Sequence, residues 1–364
     1  MSQPFIIDQL PNRTIEYQGE TYLFFSGTAY LGLAQHPDFQ ELLGSAIRRY
    51  GAVFGSSRNG NLQLGIYEEA EAKLAASVVN GSADTPTALT LSSGMMAGQV
   101  VVNWLNSQGV TFIYAPKAHP ALWHEPTITL PALSITDWLA QLPDKLQALP
   151  LGPVAILVNS LDAVWSEYYP FEWINNLPSD RPITLVVDDS HGLGVLNGGR
   201  GIWPQLQQQR LGASVRLIVT ASLAKAMALP GGVVFSDATT IADLRRTAFF
   251  GACSPMPPAY LHTYAQADAF YVEGKKRLEE NTRLAEELLL PTGLFRQATG
   301  YPVFFTERDD LYANLLERGI FIYSFAYPTA ADRANTRIVI SAFHTAEDIQ
   351  ELAKWCSTGR PDRV

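Results

Sequence analysis

Several short stretches of this 364-residue chain carry side chains able to do chemistry, and each follows an apolar run. Lys225 sits in Ser222-Leu-Ala-Lys225-Ala-Met, directly after the run Leu217–Ala221, and is the only charged residue between Arg216 and Asp237. Lysine is rarely buried without a task, and desolvation favours its neutral, nucleophilic amine. A Schiff-base lysine fits that setting; a lysine with a buried stem and a solvated head fits it too. The run Ile183–Asp188 ends in Asp188-Asp189-Ser190-His191-Gly192. A carboxylate closing an apolar strand is costly to desolvate unless it meets a cation. A helix N-cap accounts for Asp189 or Ser190 but not for Asp188.

Three further stretches add to the set. Ser92-Ser93-Gly94-Met95-Met96 is a small-residue turn opening a helix, and it offers free N–H groups to a phosphate. A plain strand-to-helix connection needs the same residues. His119 follows the run Val110–Tyr114, between Lys117 and Pro120, where a histidine is either a ligand contact or simply solvated. Arg337 opens Arg337-Ile-Val-Ile-Ser-Ala and is either a planar clamp for a carboxylate or a surface arginine. Together these make a phosphate cradle, a ring-stacking histidine, an acid for a pyridinium with a second histidine beside it, and an amine. Pyridoxal 5′-phosphate (PLP) needs those parts.

The elements that position them read as α/β. Runs at 88–92, 110–114, 154–159, 183–188, 217–221 and 232–236 are nearly continuous in Val, Ile and Leu, as in strands buried on both faces of a parallel sheet. Helical segments at 96–108 and 136–146 separate some of them. Ligands of such sheets lie beyond the carboxyl ends of the strands. An N-terminal arm over residues 1–45 contains a hairpin with Gln18-Gly19 as its turn. A PLP-binding domain is expected over 46–262. A smaller α+β domain follows over 263–364, with a helix from about Pro258 to Leu290, strands at 303–306, 320–324 and 337–341, and helices at 309–318 and 345–355.

Composition narrows the class. The chain is 47% hydrophobic and only 17% charged, with a net charge of −9. That is the composition of a chain with much buried surface, a subunit interface being one place for it, and not of a disordered one. The acidic balance disfavours nucleic acid and anionic membranes as partners. No apolar stretch reaches the roughly 20 residues of a membrane span, and no leader is visible at Met1-Ser-Gln-Pro, so a cytoplasmic enzyme is expected. Cys253 and Cys356 have no metal-ligand spacing, and Cys253 reads as a small buried thiol rather than a nucleophile.

The ordered motifs resemble the α-oxoamine synthases of PLP fold type I, the group of 8-amino-7-oxononanoate synthase, 2-amino-3-ketobutyrate CoA ligase and serine palmitoyltransferase. They run through Tyr30-Leu-Gly-Leu-Ala-Gln-His-Pro, Tyr50-Gly-Ala-Val-Phe-Gly-Ser-Ser-Arg58 and Ser92-Ser-Gly-Met-Met-Ala. They continue in Val187-Asp-Asp-Ser-His-Gly-Leu-Gly-Val, Gly199-Arg-Gly201, Ala221-Ser-Leu-Ala-Lys225 and Ser341-Ala-Phe-His-Thr-Ala-Glu-Asp-Ile. The resemblance implies an aspartate-aminotransferase-like fold and a PLP-dependent acyltransferase. That enzyme would condense a small amino acid with an acyl thioester, such as an acyl-CoA, and release CO2 to give an aminoketone.

By the same resemblance Lys225 binds the cofactor and moves the α-proton, Asp188 pairs with the ring nitrogen, His191 contacts the ring hydroxyl and His119 stacks on the ring. Ser93, Gly94, Met95 and Ser222 hold the phosphate, with Ser254 reaching it from the neighbouring subunit of a homodimer. Arg337 binds the substrate carboxylate. Thr28, Tyr67 and Ala163 stand where the family carries asparagine, histidine and serine, so the shell around the substrate is altered. That alteration leaves room for another PLP reaction on a small amino acid, such as an aldolase, decarboxylase or aminotransferase, or for a non-catalytic homologue. Phe249-Phe250 and 321–327 either line an acyl tunnel or fill core.

Overall fold

The computed structural model describes residues 4–81, 85–326 and 334–358. They fall into two compact units, one within 41–162 and 168–268 and the other within 1–40, 163–167 and 269–364.

The larger unit is built on six strands: β3 (Thr87–Leu91), β4 (Thr111–Tyr114), β5 (Val154–Asn159), β8 (Ile183–Asp188), β9 (Val215–Ser222) and β10 (Gly232–Ser236). Between β5 and β8 lie two-residue strands outside this sheet, β6 (Leu161–Asp162) and β7 (Glu167–Tyr168). The sheet order is β3-β10-β9-β8-β5-β4. Strands β4, β5, β8 and β9 pair in parallel, while β10 runs antiparallel to both neighbours. Five of the six therefore point the same way, and β3, β4, β5, β8 and β9 end on one edge of the sheet. Every residue of β8 and β10 is buried, as the unbroken apolar runs require.

The helices α1 (Pro37–Tyr50), α2 (Ile66–Ser77), α3 (Gly94–Ser107) and α4 (Ile135–Ala148) belong to this half of the chain. Val100, Val101 and Leu105 of α3 pack with Leu89, Leu157, Val186, Ile218 and Val234 of the sheet in one core cluster. Gly98 is required there, because a Cβ on it would lie 2.3 Å from the Ala121 carbonyl oxygen. Burying each such aliphatic side chain contributes about 1.5–3 kcal/mol. Phe250 joins this cluster, whereas Phe249 is exposed.

The smaller unit shows what periodicity could not. Strands β1 (Thr14–Tyr17) and β2 (Glu20–Phe25) form the expected hairpin, and both turn residues, Gln18 and Gly19, have positive φ, as a tight primed turn requires. The hairpin is no separate arm. β2 pairs in parallel with β12 (Ile320–Ala326), which pairs with β13 (Ala334–Val339), and that in turn with β11 (Val303–Thr306). The first 40 residues and the C-terminal third thus share one five-stranded sheet. The long helix expected over 258–290 is two helices, Pro258–Gln266 and Asp268–Leu289. The units also divide at this break, at residue 268 rather than 262. Phe321 packs among Phe5, Phe24 and Tyr312, and Tyr327 lies outside the described residues.

Candidate active site

The carboxyl edge of the large sheet gathers most of the chemically able residues. Leu91 of β3 leads into the turn that opens α3. Ser93 is the N-cap, and its Oγ accepts the Met96 N–H at 3.1 Å. That leaves the Gly94 and Met95 N–H groups, at the positive end of the helix dipole, for a ligand. Ser222, the last residue of β9, closes the cradle from the other side. A Cβ on Gly94 would lie 2.6 Å from the Ser222 Cβ, so glycine lets the two chains approach. Gly232 backs them both, since a Cβ there would lie 2.2 Å from the Ser93 carbonyl oxygen.

Asp188 ends β8, level with Asn159 of β5 and Thr220 of β9. It is only 7% exposed. Its Oδ1 accepts the Ser190 N–H at 2.9 Å, and its Oδ2 lies 3.8 Å from His119 Nδ1. No lysine or arginine bridges it among the described residues. A nearly buried carboxylate with one backbone donor and no full cation is costly on its own terms. A positive charge beside it would offset that cost.

His119 stands over Asp188 on the loop after β4. Its Nδ1 accepts the Ala121 N–H at 3.1 Å, which assigns the ring proton to Nε2. Burial lowers its pKa, with the Lys225 charge acting the same way and Asp188 opposing, so the ring is neutral near pH 7. Lys225 is half-buried, in the turn after β9. The sequence pointed to a buried lysine; the apolar setting belongs to the strands on either side, and the turn between them meets solvent. Its charge acts on both His119 and Asp189, which places it within the group. His191 is half-buried, three residues beyond Asp188.

Some contributors gave no signal in the sequence. Asn159 fixes the histidine loop. Its Oδ1 accepts the His119 N–H at 3.1 Å and its Nδ2 donates to the Lys117 carbonyl at 2.8 Å. Lys117, in left-handed backbone, also pairs with Asp162. Ser190 Oγ accepts the Ser222 N–H at 2.9 Å and ties the aspartate turn to the cradle. A terminal polar residue on an apolar run was the available clue to Asn159, but its partners come from another strand.

Other predicted positions sit elsewhere. Ser254 is exposed, next to Cys253, whose Sγ lies 3.2 Å from Ser92 Oγ. Cys253 is half-buried rather than fully buried. Tyr67 is core: its hydroxyl donates to the Met256 carbonyl at 2.8 Å, the Arg58 guanidinium lies 4.3 Å from its ring centre, and burial pushes its pKa up to about 12.

In the smaller unit Thr28 is half-buried, just after β2. Arg337 is buried on β13, donates from Nη1 to the Ala163 carbonyl at 2.8 Å and lies 5.9 Å from the Tyr323 ring centre. It is not a surface arginine. Tyr30 and Tyr301 share a hydroxyl contact of 3.0 Å in the same unit. His344, within the last motif, is structural. Its Nδ1 accepts the Ser341 N–H, its Nε2 donates to the Phe24 carbonyl, and burial lowers its pKa to about 4. The described residues contain no cluster of metal-ligand side chains and no helix long and apolar enough to cross a membrane.

A mixed, mostly parallel sheet flanked by helices is the architecture of the class I and II aminotransferases, and the model of that family matches residues 139–355. The 8-amino-7-oxononanoate synthase of Nitrosomonas europaea is 30% identical over 363 aligned residues, covering 94% of this chain and 90% of its own length. Among solved structures, a serine palmitoyltransferase from S. paucimobilis holding a PLP–myriocin adduct superposes with a TM-score of 0.79 at 17% identity, covering 98% of this chain and 92% of its own. The 8-amino-7-oxononanoate synthase of Francisella tularensis does so with a TM-score of 0.66 at 21% identity, over 93% and 97% of the two chains. The chain belongs to the class I and II aminotransferase family, on its α-oxoamine synthase branch.

Proposed function

We propose that the chain is a PLP-dependent acyltransferase that joins a small amino acid to an acyl thioester with loss of CO2. The observation that carries this reading is Asp188, an almost buried carboxylate with no cationic side chain of its own, one strand away from a phosphate cradle. When bound, PLP supplies an aldehyde for the amino group and a protonated ring that stabilises negative charge at the amino acid's α-carbon. The chain's own residues do the rest. The Gly94 and Met95 N–H groups and Ser222 would hold the phosphate, and Asp188 Oδ2 would hold the proton of the ring nitrogen. The neutral imidazole of His119 would cover the ring, and His191 would meet the ring hydroxyl. Lys225 Nζ would attach the cofactor and carry the α-proton.

Arg337 and Thr28 receive the substrate carboxylate in this reading, by their place in the family motifs. Ser254, exposed in the single chain, is free to serve a second copy, and a cytoplasmic homodimer completes the picture. The test is to supply glycine, alanine or serine with a series of acyl-CoAs and to follow free thiol. Thiol release with one pair is the expected result. An amino acid that changes the cofactor spectrum without thiol release from any acyl-CoA would overturn acyl transfer and leave another PLP reaction in its place.

Gly94→Ala tests the cradle. Its new Cβ would strike Ser222 at Cβ and at the backbone Cα, 2.6 and 2.8 Å away, and neither can swing aside. Alanine suits the first turn of a helix, so the fold is expected to survive with a loss of about 1–3 kcal/mol from overpacking. PLP affinity, titrated by absorbance, is expected to fall about tenfold or more, an effect of about 1.4 kcal/mol. Unchanged affinity would remove Gly94 and Ser222 from the phosphate site.

A further inference from the structure

Asp189 lies within the motif that starts at Val187, yet the cofactor contacts proposed above give it no part. It is 2% exposed, beside Asp188 at the end of β8. Its backbone N–H donates to the Thr220 carbonyl at 2.7 Å, and its own carbonyl accepts from Gly192 and Leu193. Its side chain reaches a second segment, where Oδ2 accepts the Ile202 N–H at 2.8 Å. Two glycines make room for the carboxyl. A Cβ on Gly192 would lie 2.0 Å from Oδ1, and one on Gly201 would lie 2.1 Å from Oδ2. This accounts for Gly201 of the Gly199-Arg-Gly201 motif, which binds nothing in the proposed reaction.

We propose that Asp189 is a positioning residue of the cofactor site, which clamps the Ser190–His191 turn between Gly192 and Gly201 and whose charge state governs how tightly Asp188 holds a cationic ring. The clamp acts through a short chain of contacts. Asp189 fixes the turn, Ser190 N–H binds Asp188 Oδ1, and Ser190 Oγ receives the Ser222 N–H at the cradle. The charge acts directly, because two neighbouring carboxyls share one water-poor strand end.

Burial, reinforced by Asp188 and opposed by the Ile202 N–H, the Ser160 hydroxyl and Lys225, raises the Asp189 pKa to about 7. The acid is therefore neutral below that pH and charged above it. Ionised, it adds a second negative charge beside the ring nitrogen's partner, so a ring cation binds more tightly as pH rises through 7. The other titratable groups facing it are Asp188, His191 on the same turn, Lys225 after β9, and His119 over Asp188. All of them are kept in an Asp189 variant.

The inference rests on the PLP reading, and the test separates the two. The probe is pyridoxine 5′-phosphate, which has the ring and phosphate but no aldehyde to bond Lys225. Its affinity is measured for the full chain and for Asp189→Asn, which resembles the neutral acid. The two proteins are expected to bind it alike near pH 6 and to differ by about threefold or more near pH 8, the unaltered chain being tighter. A constant ratio between them across that range would leave Asp189 a structural clamp only and overturn the proposal. No binding to the unaltered chain at any pH would instead overturn the PLP reading. Should Asp189→Asn fail to fold, isotope-edited infrared spectra of the unaltered chain decide. A protonated carboxyl band lost between about pH 6 and 8 supports the proposal, and its absence overturns it.

Discussion

Lys225→Ala is expected to abolish turnover, lowering the rate of thiol release by at least about 10³-fold, since the proposed function puts attachment and proton transfer on one amine. The visible absorbance of the lysine-linked cofactor should vanish with it. Stability should barely move, within about 0.5 kcal/mol, because Lys225 is half-buried in a turn and packs no core. That pairing of outcomes matters, since a residue that merely held the turn would lose stability and activity together. An unchanged cofactor spectrum in the variant would remove Lys225 from the assignment and point to another amine. Lys225→Arg should behave like alanine, because a guanidinium stays protonated and cannot act as the nucleophile.

The second large effect is expected far from any reacting atom. Glu71 of α2 lies between two arginines in the larger unit. Arg58 meets it with both terminal nitrogens, at 2.6 and 3.0 Å, and Arg245 adds a third contact at 2.7 Å. The Thr90 N–H and hydroxyl donate to the same carboxylate at 2.7 and 2.8 Å. The Arg58 side chain is only 4% exposed, so Glu71→Ala strands a buried guanidinium and two donors of β3. The expected loss is about 3–5 kcal/mol, because removing one partner of a buried pair leaves the other charge uncompensated. Urea unfolding measures it directly, and a change below about 1 kcal/mol would mean that solvent reaches the network. Glu71→Gln retains acceptor capacity on one oxygen, so it should cost less than alanine. Thr90 stands two residues before Ser92, so cofactor affinity is expected to weaken alongside stability.

This network was invisible in the sequence for a physical reason. Glu71 sits among Glu68, Glu69 and Lys73 on a helix that reads as an ordinary charged one. Nothing in its spacing distinguishes the carboxylate that turns inward to Arg58 from those that face water. Arg58 was noticed only as the end of a motif, and Tyr67 only as a departure from one. The structure makes them neighbours, and the exchange of a polar ring for a tyrosine there is a packing matter, the ring covering Arg58 and its hydroxyl holding the loop just after Ser254.

Elsewhere the sequence was explicit. A run such as Ile183–Asp188 has no alternation, and a strand with two buried faces satisfies it where a half-solvated one does not. All six apolar runs became strands of one sheet. The Gln18-Gly19 turn was legible because its two positive φ angles restrict the residues allowed there. The pairing of β2 with β12 was not, since almost 300 residues separate them and a hydrogen-bonded edge has no residue code. For the same reason an arm in sequence became part of a sheet in space.

By itself, then, the sequence determined the local states and the inventory of able groups. Burial on both faces selects Val, Ile and Leu, a helix start selects Ser93 and Gly94, and an aspartate closing an apolar strand announces a partner. Only the tertiary structure decided which groups meet. Strand order set Asp188 level with Asn159 and Thr220, and crossings of small residues let Gly94 touch Ser222 and let Gly192 and Gly201 close on Asp189. It also left Lys225 half-buried and put Arg337 inside a sheet. Such contacts depend on register and on distances between segments far apart in the chain, and these are properties of packing that residue order does not encode locally.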